Sequence, residues 1–499
     1  MRKILVANRG EIALRVMKAC REMGIPTVAV YSTSDRGSLH VQFADEAVCI
    51  GPPPPLESYL NIDKIIITAK QTGADAIHPG YGFLAENSEF ARRCAGEGIT
   101  FIGPNHEAMR LLGNKVESRK TMVKAGIPVI PGMMGGCTEV NSLVDETAQM
   151  GLPVLVKAAG GGGGKGMRIV RDTSDLAESL AACMREAKSA FGDDTIYLEK
   201  YIEQPRHIEF QILADTHGNV VHLFERECSI QRRYQKIVEE TPSVALDKEL
   251  REKMGGVAVR VARTAGYTNA GTVEFLLDQT GKFYFLEVNA RVQVEHPITE
   301  AVVGVDLVKQ QIRIASGERL SLKQEELRQR GHAIECRIYA EDPENGFLPC
   351  AGKILFVKEP VGPGIRCDSG IWTGCEVSVH YDPILSKLVV WDETREQTRR
   401  RMASALREYV ILGIKTTTHF LADVMEHPAF AEGRTHTGFV PEHFSDWKLP
   451  GGDPSEMKIA LLAAAALAKG GPGVKTVATA KATFSPWKSN NRWRIAGIG

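Results

Sequence analysis

The sequence predicts a mixed α/β and α+β protein. It has an N-terminal domain on a doubly wound parallel sheet, then a small lid domain, a larger central domain and a β-rich C-terminal portion. Three observations carry this reading. Short β-branched runs alternate with helical stretches from residue 3 to 102; a strand, five glycines and another strand follow; and two later strands, each interrupted by one glutamate, are joined by a short turn.

In order, residues 3–7 read as a strand, 10–23 as a helix and 27–31 as the next strand. Residues 75–78 and 100–102 are further strands, each followed by a helical segment. Such alternation favours parallel pairing, because the chain returns to the start of the next strand through a crossover helix. This gives an N-terminal domain over 1–113 and a linker helix region over 114–130. Gly126-Ile127-Pro128 and Pro131-Gly132 punctuate the chain before the lid domain, 131–202, whose strands are 152–157, 167–171 and 196–199. The largest region, 203–446, carries strands at 207–214, 220–226, 271–277 and 282–289. Leu449-Pro450-Gly451-Gly452-Asp453-Pro454 then leads into a tail, 447–499, with an alanine-rich helix over 455–469 and a basic end containing Trp487 and Trp493.

Lys plus Arg and Asp plus Glu both number 61, so no global field favours nucleic acid or an anionic membrane, and any anion site is local. The longest apolar run, 459–468, is too short to span a bilayer, and Met1-Arg2-Lys3 opens directly into a strand without a signal-peptide plan. The ten cysteines are scattered singly with no CxxC. They suggest neither zinc nor a disulfide framework, and the expectation is a soluble protein of the reducing cytoplasm.

Residues 160–166 read Gly-Gly-Gly-Gly-Gly-Lys-Gly. Without Cβ atoms such a backbone can take positive φ and bring its N–H groups to an anion, and Lys157 and Lys165 add charge. Gly166 and Met167 stand where a Walker loop needs Ser or Thr, and a strand rather than a long helix follows. Strand, glycine loop and returning strand make a lid hairpin; a flexible linker is the alternative.

Glu274 and Glu287 interrupt two apolar strands joined by Asp278-Gln279-Thr280-Gly281. In an antiparallel hairpin the two carboxylates can share a face, with Asn289 two residues beyond Glu287 on that face. These hard oxygen ligands suit Mg²⁺ on nucleotide phosphates. An amphipathic hairpin with outward glutamates is the plain alternative. The chain then packs Arg291, Gln293, Glu295 and His296 into a few residues, which suits reading a small oxyanion such as bicarbonate and removing its proton. The polar stretches 206–209 and 229–236 would in this context line an anionic pocket.

Strand, glycine loop, strand and the Glu274–Glu287 hairpin resemble the ATP-grasp enzymes. Within them, Val6-Ala7-Asn8-Arg9-Gly10-Glu11-Ile12-Ala13, His78-Pro79-Gly80-Tyr81-Gly82-Phe83-Leu84-Ala85-Glu86-Asn87 and Arg291-Val292-Gln293-Val294-Glu295-His296-Pro297 resemble biotin carboxylase over residues 1 to about 445. The resemblance implies ATP-dependent carboxylation of biotin on a carrier protein, with bicarbonate and through carboxyphosphate. Lys115, Lys157, Glu199, His207 and Gln231 would contact ATP, with Gly161, Gly162, Gly163, Gly164, Lys165 and Gly166 as the lid loop. Glu274, Glu287 and Asn289 would hold Mg²⁺ or Mn²⁺. Lys236, Arg291, Gln293 and the Val294 backbone would bind bicarbonate, Glu295 would be its base, and Arg337 would stabilise the biotin enolate beside Tyr81 and Gly82.

Tyr234 stands where many relatives have His, Glu227 where Asp is usual and Lys165 where Arg is frequent, so no charge role is carried to position 234. The strings around Lys18 and Lys458 that come nearest to a biotin-carrier motif lie in predicted helices, so the biotin is expected on a separate carrier protein. The resemblance further implies a homodimer and a carboxyltransferase subunit as partner, within an acyl-CoA carboxylase or a two-subunit pyruvate carboxylase. A nucleotide-binding subunit without turnover is a third reading. The tail is expected to contact another subunit.

Overall fold

Five short strands, β1 (Ile4–Val6), β2 (Thr27–Ser32), β3 (Glu46–Gly51), β4 (Ala76–His78) and β5 (Thr100–Phe101), form a parallel sheet in the order β3-β2-β1-β4-β5. This computed structural model describes residues 1–158 and 167–449 and positions 451, 458, 459 and 462. All three β1 residues are fully buried, as expected where helices cover both faces of a parallel sheet. Ile12, Val16, Met17 and Cys20 form one stripe of the helix Gly10–Glu22 and pack on this sheet. The predicted strands are present within a residue or two of their expected limits, and the structure adds β3. Its residues are mostly exposed or half-buried, so its apolar pattern is weak.

Strand order reverses between β1 and β4, and the loops after these two strands therefore line one crevice at the carboxyl edge of the sheet. Asn8 closes it by donating from Nδ2 to the carbonyls of Pro79 and Tyr81, both at 2.7 Å. Gly80 has φ of +62°, and a Cβ there would sit 2.9 Å from Asn8 Nδ2, so the loop carrying Tyr81 needs glycine at that point.

Four helices begin at asparagines: Asn61, Asn87, Asn105 and Asn114 each accept the backbone N–H three residues on. Asn105 also donates to the Gly266 carbonyl at 2.8 Å. Asn105→Ala is expected to cost about 1 kcal/mol, read as a lower urea midpoint with an unchanged m-value.

The lid strands β6 (Val154–Ala158), β7 (Met167–Val170) and β8 (Ile196–Lys200) form an antiparallel sheet in the order β7-β6-β8. Helices Val140–Met150 and Leu176–Phe191 cover one face through Leu143, Leu180 and Cys183. The strand–loop–strand hairpin read from the sequence is present. The loop itself, including Gly161, Gly162, Gly163, Gly164, Lys165 and Gly166, lies outside the described residues.

Beyond the lid, β9 (Arg206–Ala214), β10 (Val220–Arg232), β11 (Gln235–Thr241), β12 (Asn269–Leu277), β13 (Phe283–Asn289), β14 (His332–Tyr339), β15 (Ile365–Ser369) and β16 (Ile384–Asp392) make one antiparallel sheet. Its order is β13-β12-β9-β10-β11-β14-β16-β15. One face is apolar: Ile208, Phe210 and Ile212 of β9 pack on helix Lys248–Thr264, and Ile334, Cys336 and Ile338 of β14 join Met402, Leu406 and Phe420. Period-two alternation puts His207, Glu209 and Gln211 of β9, and Glu335 and Arg337 of β14, on the other face. Helix His296–Val303 packs over this second face, with Ile298 and Val302 against Ala333 and Val389.

Met1–Lys448 forms one compact unit, and the segment from Leu449 is a second. The helix expected over 455–469 falls almost wholly outside the described residues, although Lys458, Ile459 and Leu462 are helical; Trp487 and Trp493 also lie outside. Among the described residues no helix is long and apolar enough to cross a membrane.

Candidate active site

The polar face of the long sheet is organised around Lys236. Its ammonium reaches Glu209 at 2.5 Å, Glu274 at 2.7 Å and Glu295 at 2.9 Å, which joins β9, β12 and the turn before helix His296–Val303. Glu209 and Glu295 are fully buried, and Glu274 is nearly so. Buried charges of this density persist only when paired. Arg226, wholly buried on β10, supplies a second cation: it donates to Glu209 at 2.5 Å and satisfies Gln211, Thr272 and Thr299.

Glu274 and Glu287 pair directly across β12 and β13, with Asn289 opposite Thr272. Glu274 accepts from Asn289 Nδ2 at 2.6 Å, Gln293 Nε2 at 3.1 Å and His207 Nε2 at 2.8 Å. His207 Nδ1 meets Gln231 Nε2 at 2.8 Å. Glu287 is half-open to solvent, with Lys115 at 3.7 Å. Two carboxylates and an amide oxygen on one hairpin fit a hard divalent cation, which would require the Asn289 amide to turn its oxygen, now accepting from Arg291 Nη2 at 3.3 Å, toward Glu274.

On the lid side, Lys157 meets Glu199 at 2.5 Å and Arg119 meets it at 3.0 Å. Lys115, Lys157, Tyr197, Glu199, Phe285 and Glu287 line one cavity. It lies between the lid sheet and the helix Lys115–Lys124, and its charged groups suit a polyanion at one end while Phe285 and Met133 suit a flat ring.

Arg291 donates to Gln293 Oε1 at 2.7 Å and to Glu86 at 2.9 Å. Arg337 links Glu295, at 3.0 Å, to Glu239, at 2.6 Å. The Val294 carbonyl accepts from the fully buried Lys387 at 3.1 Å, and Lys387 also pairs with Glu11 at 3.1 Å. Glu11 in turn holds the Tyr81 hydroxyl. Gly82, with φ of +68°, turns the chain just after Tyr81.

Electrostatics follow from these contacts. Burial pushes the Glu295 carboxyl up, but Lys236, Arg337 and Arg226 outweigh it and hold the group well below the usual carboxylate range. Glu295 also stands at the N-terminal boundary of helix His296–Val303, without a side-chain capping bond, where the helix dipole favours negative charge. Burial disfavours the Lys236 ammonium, yet Glu209, Glu274 and Glu295 raise its pKa well above the ordinary value. Glu274 is likewise held low against burial, by Lys236 and His207. A site with an ionised carboxylate, three fixed cations and a metal-suited hairpin can bind a small oxyanion, take its proton and stabilise new negative charge.

Every described residue expected at the site falls in this cavity, this cluster or the crevice beside it. The sequence places Glu209 only within the polar stretch 206–209, and it gives no role to Arg226, Arg119, Glu86, Glu11, Lys387 or Glu239. Glu209 stands two residues from His207 and thus shares its face, a signal that was available. Tyr234 sits with Arg233 in the two-residue turn between β10 and β11, both at positive φ, and its side chain is 58% exposed, outside the charge cluster.

Comparison with known proteins agrees with this geometry. Residues 1–109 match the biotin carboxylase N-terminal domain, 114–323 the ATP-binding domain of the carbamoyl-phosphate synthase L chain, and 335–442 the biotin carboxylase C-terminal domain. A biotin carboxylase of Nostoc sp. is 55% identical over 440 residues, 88% of this chain and 98% of that protein. The mitochondrial methylcrotonoyl-CoA carboxylase subunit alpha of Dictyostelium discoideum is 49% identical over 494 residues, 99% of this chain and 70% of that one. The biotin carboxylase domain dimer of the Hydrogenobacter thermophilus 2-oxoglutarate carboxylase, solved with MgADP, ADP and bicarbonate, superposes with a TM-score of 0.87 at 48% identity, covering 90% of this chain and 99% of that one. The chain therefore belongs to the biotin carboxylase family of ligases.

Proposed function

We propose that this chain carboxylates biotin borne by a separate carrier protein, using ATP and bicarbonate, as the biotin carboxylase subunit of an acyl-CoA carboxylase. The observation that carries the chemistry is the three-way contact of Lys236, which couples the Glu274 hairpin, the Glu295 carboxylate and, through Glu295, Arg337.

In this reading ATP lies in the cavity lined by Lys115, Lys157, Glu199 and Glu287, with His207 and Gln231 at its inner end. Mg²⁺, held by Glu274, Glu287 and Asn289, would neutralise phosphate charge. Lys236, Arg291, Gln293 and the Val294 N–H hold bicarbonate. A second anion at Lys236 loosens its grip on Glu295, whose basicity rises as bicarbonate arrives. Glu295 removes the bicarbonate proton, and the freed oxygen attacks the γ-phosphorus while ADP departs. The resulting carboxyphosphate gives CO₂ and phosphate, the phosphate takes the biotin N1 proton, and the nitrogen attacks CO₂. Arg337 stabilises the negative charge that develops on the ureido oxygen, beside Tyr81 and Gly82.

Arg337→Ala is accordingly expected to lower carboxylation of free biotin about 100-fold while largely sparing bicarbonate-dependent ATP hydrolysis. Side-by-side assay of the two reactions checks this, and equal loss of both contradicts the role.

The acyl-CoA assignment is supported by the extent of similarity to the methylcrotonoyl-CoA carboxylase subunit, which reaches through the tail 447–499, whereas similarity to the Nostoc biotin carboxylase covers 88% of the chain. The tail is then a contact for the carboxyltransferase, and the catalytic unit works as a homodimer. A 2-oxo acid such as pyruvate is the second reading, supported by the similarity to the 2-oxoglutarate carboxylase domain. Native purification decides: an acyl-CoA-dependent carboxyltransferase in the complex supports the first reading, and a 2-oxo-acid-dependent one overturns it.

A further inference from the structure

Three carboxyl oxygens in the closed patch behind Arg337 have no hydrogen-bond partner: Oε2 of Glu239 and both oxygens of Glu335. The two residues stand directly opposite one another across β11 and β14, and both are completely buried. Lys387 of β16 lies opposite Arg337, and Glu239 accepts the Arg337 Nε–H while Glu295 accepts from Nη2. One guanidinium is thus held by carboxylates from two different elements.

Two buried carboxyl groups side by side do not both ionise unless cations compensate them. Lys236 on β11 is shared by Glu209, Glu274 and Glu295. Arg226 on β10 is committed to Glu209, and Lys387 on β16 to Glu11 and the Val294 carbonyl. His296, at the start of the covering helix, is held neutral first by burial and then by Lys387, Arg15 and Arg366. Among the described residues Arg337 is therefore the one cation that hydrogen-bonds the pair, through Glu239, while Glu335 has no hydrogen-bonded cation and feels Lys387 and Arg337 only through space.

We propose that Glu239 is a positioning residue for Arg337, with Glu335 keeping the pair's proton so that Glu239 stays ionised and fixes the guanidinium toward the biotin side of the site. Neither residue touches substrate, and the inference rests on Arg337 acting on biotin. Burial and Glu239 push the Glu335 carboxyl well above its ordinary range against Lys387 and Arg337. Burial raises Glu239 to about 7, with Arg337 opposing. The raised group is a carboxyl whose ionised form does the positioning. Its effect is therefore complete only well above 7, about half present near that value and lost as pH falls below it, when Arg337 is left with Glu295 alone.

The test is free-biotin carboxylation and bicarbonate-dependent ATP hydrolysis against pH in the wild-type, Glu239→Gln and Arg337→Ala proteins. Glu239→Gln is expected to lower the carboxylation kcat about 10- to 100-fold, to leave the KM for ATP unchanged, and to lose the acid limb that the wild type shows near neutrality. A Glu239→Gln protein that keeps the wild-type rate and limb, or that loses both reactions together with the limb intact, overturns the proposal while the Arg337→Ala selectivity still stands. If Arg337→Ala loses both reactions equally, the reading of Arg337 fails and the proposal falls with it. Should Glu239→Gln not fold, infrared spectra of the wild type and Glu335→Gln at mildly alkaline pH, where Glu239 is ionised, decide. A protonated-carboxyl stretch that Glu335→Gln removes supports the proton assignment, and a wild type without that band overturns it.

Discussion

Glu295→Gln is expected to abolish bicarbonate-dependent phosphate release from ATP, by roughly 100- to 10,000-fold, the range that removal of a general base produces. Glutamine keeps the size of the side chain and an acceptor for Lys236 or Arg337, so the cluster can stay closed. It cannot take a proton from bicarbonate. Lys115, Lys157 and Glu199 lie in the separate lid cavity, so nucleotide affinity should be unchanged. Titration with ATP beside a phosphate-release assay separates the two effects, and a variant that binds ATP and still turns over with bicarbonate removes Glu295 from the role of base.

Lys236→Met is expected to have the largest effect on stability, about 3–5 kcal/mol at neutral pH, because it strands buried carboxylates that shared one cation. Arg226 still serves Glu209, Arg337 still serves Glu295 and His207 still serves Glu274, so the fold survives in weakened form. The pH dependence has a definite sign. Glu274 and Glu295 are held below their ordinary value of 4.5, so their contribution is complete above that value and lost as pH falls below it. Lys236 is raised, so its own contribution is complete below its ordinary value of 10.5 and lost only at higher pH. Without Lys236 the stranded carboxyls titrate at higher pH and take up protons on acidification. The gap between wild type and variant therefore narrows from neutral pH toward mild acid. Urea unfolding at several pH values reads this. A gap below about 1 kcal/mol, or one that ignores pH, would mean the cluster behaves as an exposed ion pair.

Much of the site was legible because its residues break local patterns. A run of five glycines after a strand, a glutamate inside each of two apolar strands, and Arg291, Gln293, Glu295 and His296 within six residues each have a plain structural alternative, but together they point to one site. The surrounding layer was not legible. Glu209 and Glu335 each stand between apolar residues, which in sequence is the pattern of a strand with one wet face, while Arg226 and Glu239 sit in the charged runs Glu225-Arg226-Glu227 and Glu239-Glu240, which read as solvated. Only the pairing of β9, β10, β11 and β14, and the helix His296–Val303 laid over them, turns that face into a buried ionic layer. The polar stretch 229–236 likewise belongs mostly to strands: β10 runs on to Arg232 and β11 starts at Gln235, with Ile230 and Gln231 buried. In the C-terminal half β14 and β16 are long and clear in the structure, but their register is fixed by neighbours far away in sequence. Tyr234 shows the opposite case: a departure from the common family pattern that falls on an exposed turn and leaves the Lys236 contacts complete.

The most direct test is the fixation of radiolabelled bicarbonate into free biotin by the purified chain in the presence of ATP and Mg²⁺. Carboxybiotin that requires all three, accompanied by ATP hydrolysis that biotin stimulates, is the expected result. ATP hydrolysis indifferent to bicarbonate and biotin, or label appearing instead on an amino-group acceptor, would contradict the assignment of Lys236, Glu295 and Arg337 to this chemistry.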